Sequence, residues 1–296
     1  MNIVLTGSLG NISKPLAQEL VQKGHSVTVI SSKAERQKDI EALGAKAAIG
    51  IMEDADFLTA TFKGADIVYV MEVLAPTSFF DPNVDMIASV TEIGKTYKQA
   101  IEQSGVKRVV HISSIGAHSN QGTGLIKMHY NAEKILGQLP DDVSIKFMRP
   151  AGFYTVMFSF IQTIGAIFSN YGGDEKEAWV SPLDIAAFIA VEMEKPFNGR
   201  EVCYIASDEV SPNEVARILG ESIGKPDLKW VVVPDEPFLN GLLAAGMNPQ
   251  TAKEFVEMNK SRFEGEMYKD YNSNKPALGK VKVKDFAKGF AVAYNG

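Results

Sequence analysis

Cysteine occurs once, at Cys203, so no disulfide can form within the chain and no multi-cysteine metal site can be built. Excess positive charge is missing too. Thirty Lys and Arg stand against 36 Asp and Glu, and the net charge of −6 gives no global basic field for nucleic acid or an anionic membrane. No apolar stretch approaches the roughly 18 residues that a bilayer-spanning helix needs. The opening run Ile3-Val4-Leu5 is too short for a secretion signal and is broken by Gly7 and Gly10. Fixed-period repeats and low-complexity segments are also absent. These absences lead us to expect a cytoplasmic protein with no metal, membrane or nucleic-acid partner.

What remains is an ordinary globular composition. The chain has 296 residues, 45% hydrophobic and 22% charged, enough for one large domain or two modest ones. Short apolar runs alternate with amphipathic stretches up to about residue 150. Strands are expected at Ile3–Thr6, Ser26–Ile30, Ala47–Ile49, Asp66–Met71, Arg108–Ser113 and Ser144–Met148. Helices are expected at Ile12–Lys23, Ala34–Leu43, Ala55–Phe62, Val84–Ser104 and Lys127–Leu139. The strands are nearly continuous in β-branched residues, as in parallel strands buried on both faces. The fold class is therefore α/β, with right-handed βαβ units forming an open, doubly wound parallel sheet. Residues 1–150, rejoined by 176–206, are expected to form this domain. Residues 151–175 and 207–296 are expected to form a smaller, mostly helical lobe sharing a cleft with it. Within that lobe Ser211, Pro212 and Glu214 read as a capping box.

The first strand runs into Thr6-Gly7-Ser8-Leu9-Gly10-Asn11-Ile12. In a dinucleotide-binding (Rossmann) turn, one glycine permits the turn out of strand one. A second lets the backbone approach the pyrophosphate, and a third lets the helix pack closely on the strand. Gly7 and Gly10 fit the first two places, and Ser13 stands at the third. The helix beyond Gly10 would offer free N–H groups and a positive dipole end to phosphates. A plain strand-to-helix turn would need the same glycines. Its position at the head of repeated βα units favours the nucleotide reading.

NAD-binding sheets place an acidic residue at the end of strand two, where it bonds the ribose hydroxyls. Here that position reads Ser31-Ser32-Lys33, with Arg36 following and no acid before Glu35. Hydroxyls and cations suit a 2′-phosphate that a carboxylate would repel, so NADP(H) is expected over NAD(H). Ser32 and Glu35 also have the spacing of a capping box for the next helix.

"LTGSLGNIS", "RVVHISSIGA", "HYNAEKIL", "IKFMRPAGFY" and "WVSPLDIAAFIA" occur in this order. Together they resemble the NmrA-like branch of the atypical short-chain dehydrogenases. The resemblance covers nearly the whole chain, strongly to about residue 200. It departs from the pattern at Ser13 and Ser8. The resemblance implies an NAD(P)-binding protein that is either a reductase of quinones or phenylpropanoid-type compounds or a non-catalytic, redox-responsive regulator with a protein partner. A nucleotide-sugar epimerase of the extended class is disfavoured by Arg149-Pro150-x-x-Phe153 after strand six. The resemblance also suggests a structural capping role for Asp184.

In short-chain dehydrogenases a Tyr-x-x-x-Lys pair lies on the helix after strand five, and a serine ends that strand. Tyr130 and Lys134 have this spacing, and Ser113 and Ser114 end the strand. Residues four apart share a helix face, so a lysine there could lower the tyrosine pKa for proton transfer to a carbonyl oxygen. A solvent-facing tyrosine would have the same spacing. His129 and Glu133 form a second pair on this helix, about 100° away, and which pair faces the cleft is open. His111, inside strand five, reads as a packed core residue. Met71 and the stretch through Pro76 follow strand four at the carboxyl edge of the sheet, where ligands bind, and are expected to border a nicotinamide. Phe153, Tyr154 and Phe158 are candidates for an apolar substrate pocket, although core packing would select the same residues.

Overall fold

In the computed structural model, which describes residues 1–156 and 166–295, the early strands form where the β-branched runs predict them. They are β1 (Asn2–Leu5), β2 (Ser26–Ser31), β3 (Lys46–Ile49), β4 (Ile67–Val70), β5 (Arg108–Ile112) and β6 (Ser144–Pro150). Further strands follow: β7 (Gly152–Phe153), β8 (Ile167–Ser169), β9 (Glu177–Val180), β10 (Arg200–Ile205), β11 (Asp208–Val210) and β12 (Trp230–Val232). Seven of them make one sheet in the order β10-β6-β5-β4-β1-β2-β3, and every pairing in it is parallel. The strand order reverses between β1 and β4, which places a crevice above their carboxyl ends. This is the doubly wound α/β fold.

Helices α1 (Ser13–Gln22), α2 (Gln37–Ala42), α3 (Ala55–Phe62), α4 (Met86–Ser104), α5 (Lys127–Leu136) and α6 (Pro182–Glu194) cover both faces of the sheet. Alternation along β1 decides which helix meets which face. Ile3 and Leu5 pack with Leu16, Leu20 and Ile40 of α1 and α2 and with Ile189 and Met193 of α6. Val4 points the other way, into a core with Leu58 and Phe62 of α3, Ile93 and Tyr97 of α4, and Leu136 of α5.

Capping chemistry explains where the observed ends differ from the expected ones. The Asp85 carboxylate accepts the Ala88 N–H, so α4 begins at Met86 and not at Val84. The Ser32-x-x-Glu35 box does not form. Lys33 precedes a 3-10 turn at Ala34–Arg36 without a side-chain cap, and the regular helix starts only at Gln37. Asp184 does not cap α6 either. Ser181 takes that place by accepting the Leu183 N–H, while Asp184 Oδ2 accepts from Ser207 Oγ (2.6 Å) and the Val281 N–H (2.9 Å). Asp184 therefore ties the C-terminal segment to the sheet domain.

Beyond β6 the chain carries α7 (Pro212–Ser222), α8 (Asp235–Ala244), α9 (Pro249–Phe263), α10 (Lys269–Ser273) and α11 (Val283–Asn295). Ser211 Oγ accepts the Glu214 N–H at the start of α7, as its sequence predicts. Short strands accompany these helices. β9 pairs with β7 and β11, and β8 pairs with β12. Tyr154, Trp179, Trp230, Leu219 and Phe290 form the local core.

The sheet edge holds a buried ion pair. Lys146, 2% exposed, donates to Glu192 Oε2 at 2.8 Å and to its carbonyl at 3.0 Å, with Phe197 beneath the ammonium. Removing one partner of a buried pair strands the other charge, which costs about 3–5 kcal/mol, whereas an apolar replacement of both is often neutral. Glu192→Ala leaves Lys146 only the looser, partly exposed Glu201 at 3.7 Å and should therefore lose up to about 3–5 kcal/mol in denaturant unfolding. The double substitution Lys146→Met, Glu192→Met should recover most of that loss.

Candidate active site

The turn after β1 is built around a contact that only glycine permits. Gly7 has φ +85°, and a Cβ there would lie 2.5 Å from both Met71 Sδ and Ser13 Oγ. The Met71 main chain is held where its N–H bonds Thr6 Oγ1 (2.9 Å) and its carbonyl accepts from Tyr97 OH (2.7 Å), and its Sδ accepts from Tyr69 OH at 3.5 Å. Ser13, in place of a third glycine, is buried and donates to the Thr6 carbonyl at 3.0 Å. Its hydroxyl is thereby satisfied inside the strand–helix contact. Ser8 also has a left-handed φ of 52°, and its Oγ donates to Ser31 Oγ at 2.9 Å, linking the turn to the end of β2.

The other residues expected around the nucleotide fall along the same edge. Leu9 is half-buried, Gly10 and Asn11 are exposed, and Ile12 sends its side chain into the core, leaving only its main chain to the loop. Ser31 is buried and accepts the Lys33 N–H (3.2 Å), while Ser32, Lys33 and Arg36 are exposed. Arg36 has Asp39 at 3.7 Å as a loose partner. The exposed side chains of 32–36 thus present a hydroxyl and two cations beside one carboxylate, Glu35.

Two buried polar clusters lie next along the edge, at the ends of β4, β5 and β6. In the first, His111 Nε2 lies 3.1 Å from both carboxylate oxygens of Glu72, and both side chains are within 1% of full burial. Burial alone would raise the Glu72 carboxyl, but His111 outweighs it and holds the carboxyl below its ordinary value. Burial likewise opposes charge on His111, yet Glu72 raises it above an ordinary imidazole. His129, on α5, is held down to about 4 by desolvation, with Glu72 pulling the other way and His111 repelling its proton. It is a neutral imidazole beside a charged pair, and its Nδ1 is buried without a hydrogen-bond partner among the described residues.

In the second cluster, Ser113 Oγ donates to Glu133 Oε1 at 2.6 Å. Arg149 grips the same carboxylate with two bonds, Nε to Oε1 at 2.9 Å and Nη2 to Oε2 at 2.6 Å. Its Nη1 reaches Tyr204 OH and Asp270 Oδ2, both at 3.0 Å. The structure therefore brings Ser113 to Glu133 and turns His129 toward the end of β4. Tyr130 and Lys134 do lie together, the Lys134 ammonium 5.3 Å from the Tyr130 ring centre, but they line a cavity on the β6–β10 side of α5.

Of the residues expected at the substrate, Phe153 lines a cavity of about 100 Å³ with Tyr171, Trp230, Phe255 and Arg262. Tyr154, its neighbour, points the opposite way. It is fully buried between Trp179 and Phe286 and belongs to the core, which corrects the expectation that it faces a ligand. Phe158 lies outside the described residues.

His111 and Arg149 were not singled out as site residues from sequence, and Glu72 only as part of the stretch after strand four. Glu72 directly follows Met71 at the same strand end, so one edge signal covered both. His111 looked like core because it is buried within a strand; its partner is nearly forty residues distant and could not be read locally.

A family model described as NAD(P)H-binding matches residues 7–196. The chain belongs to the NAD(P)H-binding family. This agrees with the resemblance drawn from the glycine turn and its companion motifs, and the Gly7–Met71 cradle fits it. The chain is 23% identical over 260 residues to NAD(P)H azoreductase of Xenophilus azovorans, covering 86% of this chain and 85% of the relative. An NADPH-dependent quinone oxidoreductase from Escherichia coli, solved with NADPH, superposes with a TM-score of 0.79 at 18% identity, covering 97% of this chain and 99% of that one. Triphenylmethane reductase of Citrobacter sp. gives 0.76 at 18% identity over 99% and 100%. Among the described residues no helix is long and apolar enough to cross a membrane.

Two expectations follow from this geometry. Gly7→Ala forces a side chain into a left-handed residue and into Met71, so it should weaken nucleotide binding at least tenfold or so and destabilise the fold by about 1–3 kcal/mol. Calorimetric titration and thermal melting of the same sample would check both; unchanged affinity would contradict the cradle.

The second concerns pH. With His129 lowered from its ordinary 6.5 to about 4, the unfolded chain binds its proton first as pH falls, so this group subtracts stability between those values. His129→Gln should therefore lose less stability than the parent on going from about pH 7 to about pH 5, by roughly 2 kcal/mol. Denaturant unfolding at the two pH values measures the difference.

Proposed function

We propose that the chain is an NADPH-dependent reductase of a small, apolar, conjugated acceptor such as a quinone. The observation that carries this reading is the neutral His129 beside the buried Glu72–His111 pair, next along the edge from the Gly7–Met71 cradle. Gly7 to Ile12 would hold the pyrophosphate through main-chain N–H groups. Ser31, Ser32, Lys33 and Arg36 would hold a 2′-phosphate, and the absence of a carboxylate directly at the end of β2 favours NADP(H) over NAD(H). The bound nucleotide supplies the hydride. Neutral His129 would donate a hydrogen bond through its ring N–H toward the acceptor atom on which negative charge develops, with the buried Glu72–His111 pair beside it. Phe153 and the aromatic cavity beside it would receive the apolar part of the acceptor.

The names of the similar proteins support a reductase: an azoreductase, a quinone oxidoreductase and a triphenylmethane reductase. A non-catalytic NADP-binding regulator with a protein partner is the second reading. It is favoured by the Ser113 hydroxyl, which is committed to Glu133 and not to a ligand. Tyr130 and Lys134 are outside the proposed site, because they line a cavity to which neither Glu72 nor His111 contributes.

Oxidation of NADPH and NADH, followed with a panel of quinones, azo dyes and aldehydes, tests the proposal. NADPH should be preferred, and Lys33→Glu with Arg36→Glu should raise its Kd about tenfold or more while leaving NADH little changed. His129→Gln should lower kcat by about 100-fold, the scale of a lost proton donor, whereas Tyr130→Phe should stay within about twofold. Tight NADPH binding with no turnover on any acceptor would leave the regulator reading standing in its place.

A further inference from the structure

A cavity of about 440 Å³ opens between α5 and the edge strand β10, within the size range of small-molecule sites. Its floor is the outward face of β6 and β10, where Phe147 and Val202 are register partners, and Val202 is 46% exposed. Tyr130 and Lys134 form the α5 wall. None of residues 7–12, 31–36 or 71–72 lines it, so it is separate from the nucleotide edge.

The charges around it do not cancel. Among the lining residues Arg149 is neutralised by Glu133; Asp270, its second acidic partner, does not line the cavity. Glu133 also faces the cavity, but both of its oxygens are taken up by Arg149 and Ser113. Two further cations have no such partner. Lys134 makes no ion pair among the described residues and rests over the Tyr130 ring. Arg200 donates to the carbonyls of Gly137, Leu139, Pro140 and Val143, which fix its guanidinium in place and bring no charge. The unbalanced charge is therefore positive, one of its two carriers is held rigidly, and rings lie on the wall and the floor. Holding the cation in place beforehand lowers the ordering cost of binding.

We propose that this cavity is a second ligand site, which takes a small aromatic anion, a carboxylate or sulfonate on a flat ring, independently of the nucleotide. The ring would lie against Tyr130 and Phe147, and the anion would meet Lys134 and Arg200. The inference does not depend on the chain being a catalyst.

The test is a fluorescence titration of the whole chain with 8-anilinonaphthalene-1-sulfonate, with and without saturating NADP+. A single saturable site that survives NADP+ is expected. Lys134→Glu and Val202→Glu, both at exposed positions, should each weaken it about tenfold or more, and Lys134→Arg should keep it within about twofold. Thermal melting of each variant distinguishes a lost site from a lost fold, and Lys134→Glu alone suffices should Val202→Glu unfold. Displacement of the probe by NADP+, absence of saturable binding, or affinity unaltered by the charge reversals would overturn the proposal.

Discussion

The contact between Gly7 and Met71 is the constraint from which the upper edge of this molecule is organised. β1 and β4 are neighbours, and the sheet changes direction between them, so whatever follows them must share one crevice. A side chain on residue 7 would close that crevice with its own Cβ. Without one, the turn folds down onto Met71, Ser13 packs α1 against Thr6, and the loop from Ser8 to Asn11 is left at the surface. Met71 is fixed in turn by Thr6 and Tyr97, which sets where Glu72 emerges. Cofactor cradle and acid–base cluster thus hang on one close backbone approach.

The Glu72–His111 pair shows how the fold can keep charge where water does not reach. Desolvation works against both groups, and each is held charged by the other at 3.1 Å. Such a pair adds little net stability compared with apolar residues of equal size. Its presence therefore asks for a reason other than folding. The effect on His129 supplies one. The carboxylate draws its proton and the imidazolium repels it, while desolvation decides the outcome in favour of the neutral ring. A neutral imidazole keeps one N–H to donate across a wide pH range.

How much of this was legible in the sequence follows from which interactions are local. β-branched runs specify parallel strands within a few residues, and Ser211 caps its helix by accepting the N–H three residues on; Asp85 and Ser181 cap in the same local way where Val84 and Asp184 were expected to open their helices. Gly7, Ser13 and Met71 could be named because a turn, a helix start and a strand end each leave a signature. Helical spacing could narrow α5 to two pairs and go no further. What sets the pairs apart is nonlocal: Arg149 from β6 and Ser113 after β5 take up both oxygens of Glu133, partners that helical spacing could not reveal. Tyr154 failed as a ligand-facing residue for a similar reason. Neighbouring residues diverge where β7 ends, and composition cannot say which one points into Trp179.

Orientation of α5 also links the two faces of the site. Glu133 stands between Ser113 on one side and Arg149 on the other, and Arg149 continues through Tyr204 to Asp270 near the C-terminal helices. Both oxygens of Glu133 are used, so it cannot act as a free base without breaking a two-bond grip. A serine held this way is poorly placed to polarise a carbonyl, which is what the same position does in short-chain dehydrogenases with a Tyr-x-x-x-Lys pair. Under the proposed reductase reading, the polarising donor would come from elsewhere on the helix. One residue's rotation, from Tyr130 back to His129, is all that separates the two arrangements, and the Glu133–Arg149 bond is what fixes it.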